Sequence, residues 1–144
     1  MEYRKLGNSG LKISELSFGS WVTFNKQIDT SLAEKMFGTC LDAGINFFDN
    51  AEGYERGMSE IVMGDALKKL QRPRDSYCVS SKLFFGTYDN PTPTQMDLSR
   101  KHITEACHQA LNRLKVDYLD LYFCHRADPD TTIGDTVGAM HNLI

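Results

Sequence analysis

Four side chains that can hold, move or orient a proton occur at matching places in this sequence. Asp49 ends a run of strand-forming residues at 45–48, and a short loop of small residues then leads to Tyr54. Two later strand-like segments are each followed by one more such side chain. Because parallel strands bring their carboxyl ends to one face of a sheet, we expect all four to share a pocket. The four are Asp49, Tyr54, Lys82 and His125.

These residue types suit the transfer of a proton to or from an oxygen atom bonded to carbon. A tyrosine hydroxyl has an ordinary pKa of about 10, which is too high for ready proton exchange at neutral pH. A lysine ammonium nearby favours the phenolate and lowers such a pKa, and an aspartate can hold that lysine in place. A histidine can hydrogen-bond a substrate oxygen and orient it toward the tyrosine. The set fits carbonyl reduction, in which a cofactor must bring the hydride.

Each of the four residues also has an ordinary structural explanation. An aspartate after a strand often caps a helix, a lone tyrosine often packs in the core or at its rim, and a lone lysine is usually solvated. A histidine at this place could bond to a neighbouring strand. Their shared position at three consecutive strand ends favours the functional interpretation, because chance would have to place three of them alike.

The elements that must position these residues alternate between strands and helices. Apolar residues at three- and four-residue steps predict helices, and short apolar runs predict strands. A hairpin is predicted at 3–6 and 11–13, and strands at 16–18, up to Asp49, at 77–81 and at 118–124. Helices are predicted from Ser31 to Ala43 after a Thr30 cap, from Ser59 to before Pro73, from a Ser99 cap to about Leu114, and from near Thr132.

This order of elements predicts an α/β fold with a parallel sheet and helices outside it. A dinucleotide-binding open sheet would need the pattern GxGxxG after its first strand, and residues 18–23 do not supply it. We therefore favour a (β/α)8 barrel, of which this chain holds the hairpin and about four βα units. Such a barrel takes about 250 residues. Residues 1–144 are thus expected to be its N-terminal half, an incomplete domain that stops inside a helix.

Composition narrows the classes of partner. The net charge of −3 argues against nucleic acid and anionic membranes, and no apolar stretch approaches a membrane span. The first residues lead into no apolar segment, so we expect no signal peptide and a cytoplasmic location. The four cysteines form no CxxC pair and are expected to be buried free thiols. The four histidines show no metal-binding spacing, so no metal site is predicted.

The quoted residues make the sequence resemble the aldo-keto reductases, which are barrel enzymes that use NADPH. The stretch GINFFDNAEGY at 44–54 is similar to the family's aspartate–tyrosine signature, with Asn50 where threonine is common. Lys82 and His125 match the two remaining positions of the family's catalytic tetrad. The resemblance covers nearly the whole chain and the family's N-terminal half. It implies NADPH as the cofactor and a small carbonyl compound as the substrate.

Shorter stretches point to one branch of that family. Residues 21–24, 98–103 and 126–131 are similar to the potassium-channel β-subunit-like reductases. That resemblance implies cofactor contacts from the loop after the first strand, and from Asp49 near the nicotinamide ribose. Trp21 has a nearly equal alternative as a packing residue at the barrel rim. The cofactor-binding residues so implied are Ser20, Trp21, Gln27 and Asp49.

Three functions remain open at this stage. The leading one is an NADPH-dependent reductase of aldehydes or ketones, with Tyr54 as the acid. The second is a cofactor-sensing accessory subunit, although channel-associated members tend to have asparagine where this chain has His125. The third is an inactive truncated fragment. Four strands alone would leave two open sheet edges, so we expect the isolated chain to aggregate or self-associate and to bind NADPH weakly.

Overall fold

The chain begins with a hairpin that covers the amino-terminal end of the main sheet. A computed structural model describes residues 1–144. Strands β1 (Tyr3–Lys5) and β2 (Lys12–Ser14) pair antiparallel, as predicted. Asn46, which precedes the second strand of the main sheet, accepts a 2.7 Å hydrogen bond from the backbone N–H of Ser14. This bond ties the hairpin to the sheet.

Four parallel strands form the main sheet in their order along the chain. Its strands are β3 (Phe18–Gly19), β4 (Phe47–Asp49), β5 (Cys78–Leu83) and β6 (Leu121–Cys124). Each strand is followed by one α-helix, which confirms four βα units and the predicted α/β class. Sequential parallel strands with a helix after each are the architecture of part of a (β/α) barrel. The sheet is open, with β3 and β6 at its edges.

The four helices keep close to their predicted bounds. They are α1 (Thr30–Asp42), α2 (Met58–Leu70), α3 (Arg100–Leu114) and α4 (Ile133–His141). Ser99 caps α3 as predicted, and α4 begins near Thr132 as predicted, with Thr132 as its cap; each side chain accepts a backbone N–H. The predicted Thr30 cap is wrong: the cap of α1 is Asp29, whose carboxylate accepts the N–H of Leu32. An aspartate competes well for this place because its side chain satisfies an orphan helix donor.

An aromatic core holds the helices against the sheet. Phe37 of α1 meets Phe48 of β4 edge to face, with ring centroids 4.9 Å apart, and both side chains are fully buried. Phe24, from the loop after β3, packs on Phe37 as well. Such pairs add about 0.5–1.5 kcal/mol each beyond the area they bury. The core therefore anchors the strand that ends at Asp49.

Several boundaries differ from the predictions by a few residues. Strand β5 extends past Ser81, so Lys82 lies within the strand and Leu83 ends it. Only residues 121–124 of the predicted 118–124 strand are paired. Leu32, one of the apolar residues of α1, is 44% exposed. The cysteines are free, as predicted, but only Cys78 is fully buried.

Candidate functional site

An aspartate–lysine ion pair lies at the carboxyl end of the sheet. Asp49 is in register with Ser80 of β5, so Lys82, two residues further along that strand, projects from the same face. The Lys82 Nζ lies 2.6 Å from Asp49 Oδ2 and donates to the Asn50 carbonyl at 2.8 Å. Ser80 Oγ donates to the other carboxylate oxygen at 2.6 Å. The carboxylate is thus held on both oxygens and fixes the ammonium.

Tyr54 is carried on a strained turn between β4 and α2. The turn Tyr54–Gly57 contains Glu55 and Arg56 in the left-handed conformation, with φ of 47° and 54°, and Gly57 follows at 83°. A non-glycine residue held there costs of order 1 kcal/mol or more. Two ion pairs of 2.7 Å, Lys26 with Glu55 and Arg56 with Asp89, tie this turn to the loops on either side. Lys82 Nζ lies 5.0 Å from the Tyr54 ring centroid.

His125 follows β6 and meets Tyr54 edge to face. The two ring centroids are 5.8 Å apart, and the His125 backbone N–H donates to the Leu83 carbonyl at 2.8 Å. Burial, followed by the charge of Lys82, holds the pKa of His125 below its usual value, against the opposing effects of Asp49 and Glu52. The ring is therefore neutral at neutral pH.

The hydrogen bonding of His125 indicates which of its nitrogens carries the proton. Its Nδ1 is buried and has no hydrogen-bond partner. A neutral imidazole has one donor and one acceptor nitrogen, and an orphaned buried N–H is rarer than an under-used acceptor. We infer that Nε2 carries the hydrogen, which makes this nitrogen the one that can donate to a ligand.

A small cavity with largely aromatic walls lies beside the ion pair. Its volume is about 250 Å³, and Tyr54 and His125 line it together with three other residues. Trp21 stacks on Tyr54 with centroids 6.1 Å apart and planes 26° from parallel. The size and lining suit a small, partly apolar ligand with one or two polar atoms. The other three lining residues are Trp21, Gly53 and Phe85.

The structure brings some of the sequence-predicted residues together and leaves others apart. Asp49, Tyr54, Lys82 and His125 form one cluster, and Trp21 lies at the rim of the cavity beside it. Ser20 is 1% exposed and its hydroxyl donates to the Asp49 carbonyl at 3.1 Å. Gln27 is exposed further along the loop and does not line the cavity.

Two cavity residues were not identified from the sequence. Phe85 is 42% exposed and faces His125 with centroids 5.4 Å apart, and Gly53 packs against it. The available signal was the pair of phenylalanines at 84 and 85, shortly after the predicted strand end at Lys82, because residues there lie at the same face of the sheet. No three His, Cys, Asp or Glu residues are arranged to hold a metal. No helix combines the length and apolarity that a bilayer span requires.

Comparison with known proteins identifies a family and relatives for this chain. The model of the aldo/keto reductase family matches residues 15–144. The chain is 47% identical over 144 residues to a probable voltage-gated potassium channel subunit beta of Arabidopsis thaliana. It is 46% identical over the same length to the protein of that name in Oryza sativa subsp. japonica. The alignments cover 100% of this chain and 43% of each relative. The chain belongs to the aldo/keto reductase family.

Proposed function

We propose that this chain belongs to an enzyme that reduces small aldehydes or ketones to alcohols with NADPH. The observation that carries the proposal is the joint geometry of Lys82, bonded to Asp49 at 2.6 Å, with Tyr54 and His125 around one cavity. Membership of the family supports an oxidoreductase. Because the chain spans 43% of the length of the relatives, turnover by the whole protein is part of the proposal.

In the proposed reaction the substrate carbonyl lies in the cavity, with its oxygen facing His125 and Tyr54. Neutral His125 donates a hydrogen bond from Nε2 to that oxygen and orients it. The Tyr54 hydroxyl then gives its proton to the oxygen as negative charge develops there. His125 stays neutral throughout and holds the oxygen in reach of the phenol.

Lys82 and Asp49 support this proton transfer electrostatically. When the phenol loses its proton, negative charge grows on its oxygen, and a fixed cation close by stabilises that charge. Asp49 keeps the ammonium in place, and the Asn50 carbonyl accepts a second of its hydrogens at 2.8 Å. These two bonds use two of the three hydrogens of the ammonium, and the third can point toward the phenol.

The cavity lining fits the nicotinamide end of a dinucleotide in part. Trp21 offers a flat aromatic face at the rim, and Asp49 has a carboxylate that is 29% exposed. These two are the residues that would hold the cofactor, while Ser20 fits poorly because its hydroxyl is already bonded. When bound, NADPH supplies the hydride.

We further propose that residues 1–144 are the N-terminal half of an eight-stranded barrel. Four βα units and the 43% coverage of the relatives support that arrangement. Four free cysteines support a reducing compartment such as the cytoplasm. The two open edges of the sheet support self-association of the isolated chain.

The test of the proposal is NADPH consumption with a series of small aldehydes, measured for the wild-type protein and for Tyr54→Phe. We expect Tyr54→Phe to lower turnover by a factor of about a thousand, because the general acid is gone. NADPH affinity, followed by its fluorescence, should stay nearly the same. Tyr88→Phe, at a tyrosine that is 54% exposed outside the cavity, is the matched control. Equal turnover in the two variants would contradict the assignment.

A second candidate function follows from the relatives, both of which are named as potassium channel β subunits. In this alternative the chain belongs to an accessory subunit that senses a bound cofactor, and reduction is incidental. It predicts co-purification with a membrane channel and negligible turnover. Turnover without any channel association would exclude it.

A further inference from the structure

Glu52 is a buried carboxylate that the proposed reaction does not use. Its side chain is 3% exposed, and burial of a charge costs several kcal/mol unless hydrogen bonds replace its water. One oxygen, Oε1, accepts from the backbone N–H groups of Phe84 at 2.7 Å and Gly86 at 2.9 Å. It also accepts from Nε2 of His102, on the first turn of α3, at 3.1 Å.

These contacts keep the side chain ionised and make it a junction between segments. Burial raises the pKa of Glu52, but the hydrogen bonds from His102, Phe84 and Gly86 outweigh that effect and lower it. A charged oxygen binds the two backbone donors more strongly than a neutral one would. The carboxylate thus holds the loop after β5 and the start of α3 together.

The backbone of Glu52 is fixed to the candidate site itself. Its N–H donates to the Lys82 carbonyl at 3.0 Å, and Tyr54 follows only two residues later. Gly53, between them, lies directly against Phe85: a methyl group added to it would be 3.5 Å from the Phe85 Cβ. Glu52 therefore joins the Tyr54 turn to the loop that carries Phe85.

We propose that Glu52 is a positioning residue that fixes the Phe85 wall relative to Tyr54 and so sets the width of the cavity for its carbonyl ligand. The inference rests on the proposed function only in taking a small carbonyl compound as the ligand. Phe85 lines one side of the cavity. The backbone N–H groups of its two sequence neighbours, Phe84 and Gly86, both donate to the same Glu52 oxygen. Loss of the charge should let this wall move, with the ligand less tightly enclosed.

The test measures binding rather than turnover, so it does not depend on reduction. Trp21 is the only tryptophan and lies at the cavity, so its indole N–H gives one assignable NMR signal. Benzaldehyde is titrated into the wild-type protein and into Glu52→Gln, which keeps the shape and removes the charge. We expect the Kd for benzaldehyde to rise by about fivefold, which corresponds to about 1 kcal/mol. The preference for benzaldehyde over the bulkier biphenyl-4-carbaldehyde should shrink.

Glu60→Gln is the matched control. Glu60 is fully buried, and it bonds Ser81 and Arg113 at 2.6 Å each, neither of which lines the cavity. Its loss should lower the melting temperature without a change in the Kd or in the preference between the two aldehydes. If Glu52→Gln fails to fold, His102→Gln, which removes only the bond to α3, should raise the Kd by a smaller factor.

Each outcome separates this inference from the proposed function. An unchanged Kd in Glu52→Gln, an equal rise in Glu60→Gln, or no response of the Trp21 signal to benzaldehyde in the wild-type protein would overturn the positioning role. A shifted Kd in Glu52→Gln alone supports it, even if the wild-type protein binds benzaldehyde and never reduces it. That last result would overturn the proposed reduction and leave the cavity assignment standing.

Discussion

Two aspartate–cation pairs lie at opposite ends of the same parallel sheet and are built differently. At the carboxyl end, Asp49 pairs with Lys82, and at the amino end, Asp120 pairs with Arg74, both at 2.6 Å. Asp120 directly precedes β6, and Arg74 lies in a short 3₁₀ turn, Arg74–Ser76, ahead of β5. The charges and distances match, but the surroundings do not.

The pair at the amino end is held by backbone groups and by two tyrosine rings. Arg74 donates to the carbonyls of Tyr77 and Tyr118 at 2.8 and 2.9 Å, and its guanidinium lies 5.2 and 4.0 Å from the centroids of those two rings. Asp120 Oδ2 also accepts the N–H of Val79 at 2.8 Å. Arg74 Nε is buried without a hydrogen-bond partner, so backbone and ring contacts define this pair without saturating its donors.

The pair at the carboxyl end lies beside two residues that line the cavity. Lys82 bonds Asp49 and one carbonyl, its Nζ lies 5.0 Å from the centroid of the Tyr54 ring, and its charge acts on His125. In (β/α) barrels the loops after the strands carry chemistry, while the opposite end contributes stability. The two pairs differ in what surrounds the cation: backbone carbonyls and two rings hold Arg74, whereas Lys82 lies beside the Tyr54 ring next to the cavity.

The proposed difference between the two ion pairs is tested most directly by removing the cation at each end of the sheet. At the carboxyl end, Lys82→Met should lower turnover by a factor of about a thousand, since the charge that stabilises the developing phenolate is lost. The free energy of unfolding should change less than at the amino end, because the Asp49 side chain is 29% exposed, against 15% for Asp120, and Ser80 still bonds its carboxylate. Turnover and urea unfolding are measured on the same preparation. Retained turnover would show that the Asp49–Lys82 pair is only structural.

At the amino end, Arg74→Met should lower the free energy of unfolding by about 3 kcal/mol, because it leaves a mostly buried carboxylate without its partner. Turnover per folded molecule should stay at the wild-type level. Urea unfolding gives the first quantity, and turnover corrected for the folded fraction gives the second. A selective loss of turnover in the folded fraction would erase the distinction between the two ends.

A third measurement, the dependence of the free energy of unfolding on pH, tests the surroundings of His125 at the carboxyl end, and its expected effect is smaller. The pKa of His125 is lower in the folded chain than its ordinary value of about 6.5, so the unfolded state takes up the proton first. Stability from this group is fully present above about pH 6.5 and is lost as the pH falls toward the folded pKa. His125→Gln should flatten that part of the profile, measured by urea unfolding at several pH values. An unchanged slope would contradict the neutral, desolvated histidine.

Most of the fold was predictable because its signals are local. Helix faces and caps such as Ser99 follow from spacing and side-chain chemistry within a few residues, and the strand order follows from strict alternation. The Thr30 cap was wrong because two capping residues stand side by side at 29 and 30, and geometry chose the first. The strand β6 was predicted, but its late start at Leu121 could not be, because Tyr118 packs on Arg74 outside the sheet instead of joining the strand.

The candidate site was predictable in its strand-end members and in Tyr54, on the loop after Asp49. Asp49, Lys82 and His125 follow from the rule that parallel strands end on one face. The roles of Phe85 and Glu52 depend on contacts between segments distant in sequence, such as the bond from Glu52 to His102, fifty positions away. Nothing in residue type or spacing marks these contacts. Ser20 and Gln27 were implied only by resemblance, and neither lies on the cavity.

Residues in the left-handed conformation connect Tyr54 directly to α2, with no flexible loop between them. Three successive residues, Glu55, Arg56 and Gly57, are locked in one conformation, and α2 starts at the next residue. The helix itself packs against both α1 and α3. A tilt of α2 would therefore move the Tyr54 hydroxyl with it. Repacking the buried face of the helix, for example at Met63, whose sulfur accepts from Asn50 Nδ2 at 3.7 Å, would retune the proposed reaction while every wall of the cavity kept its own side chain.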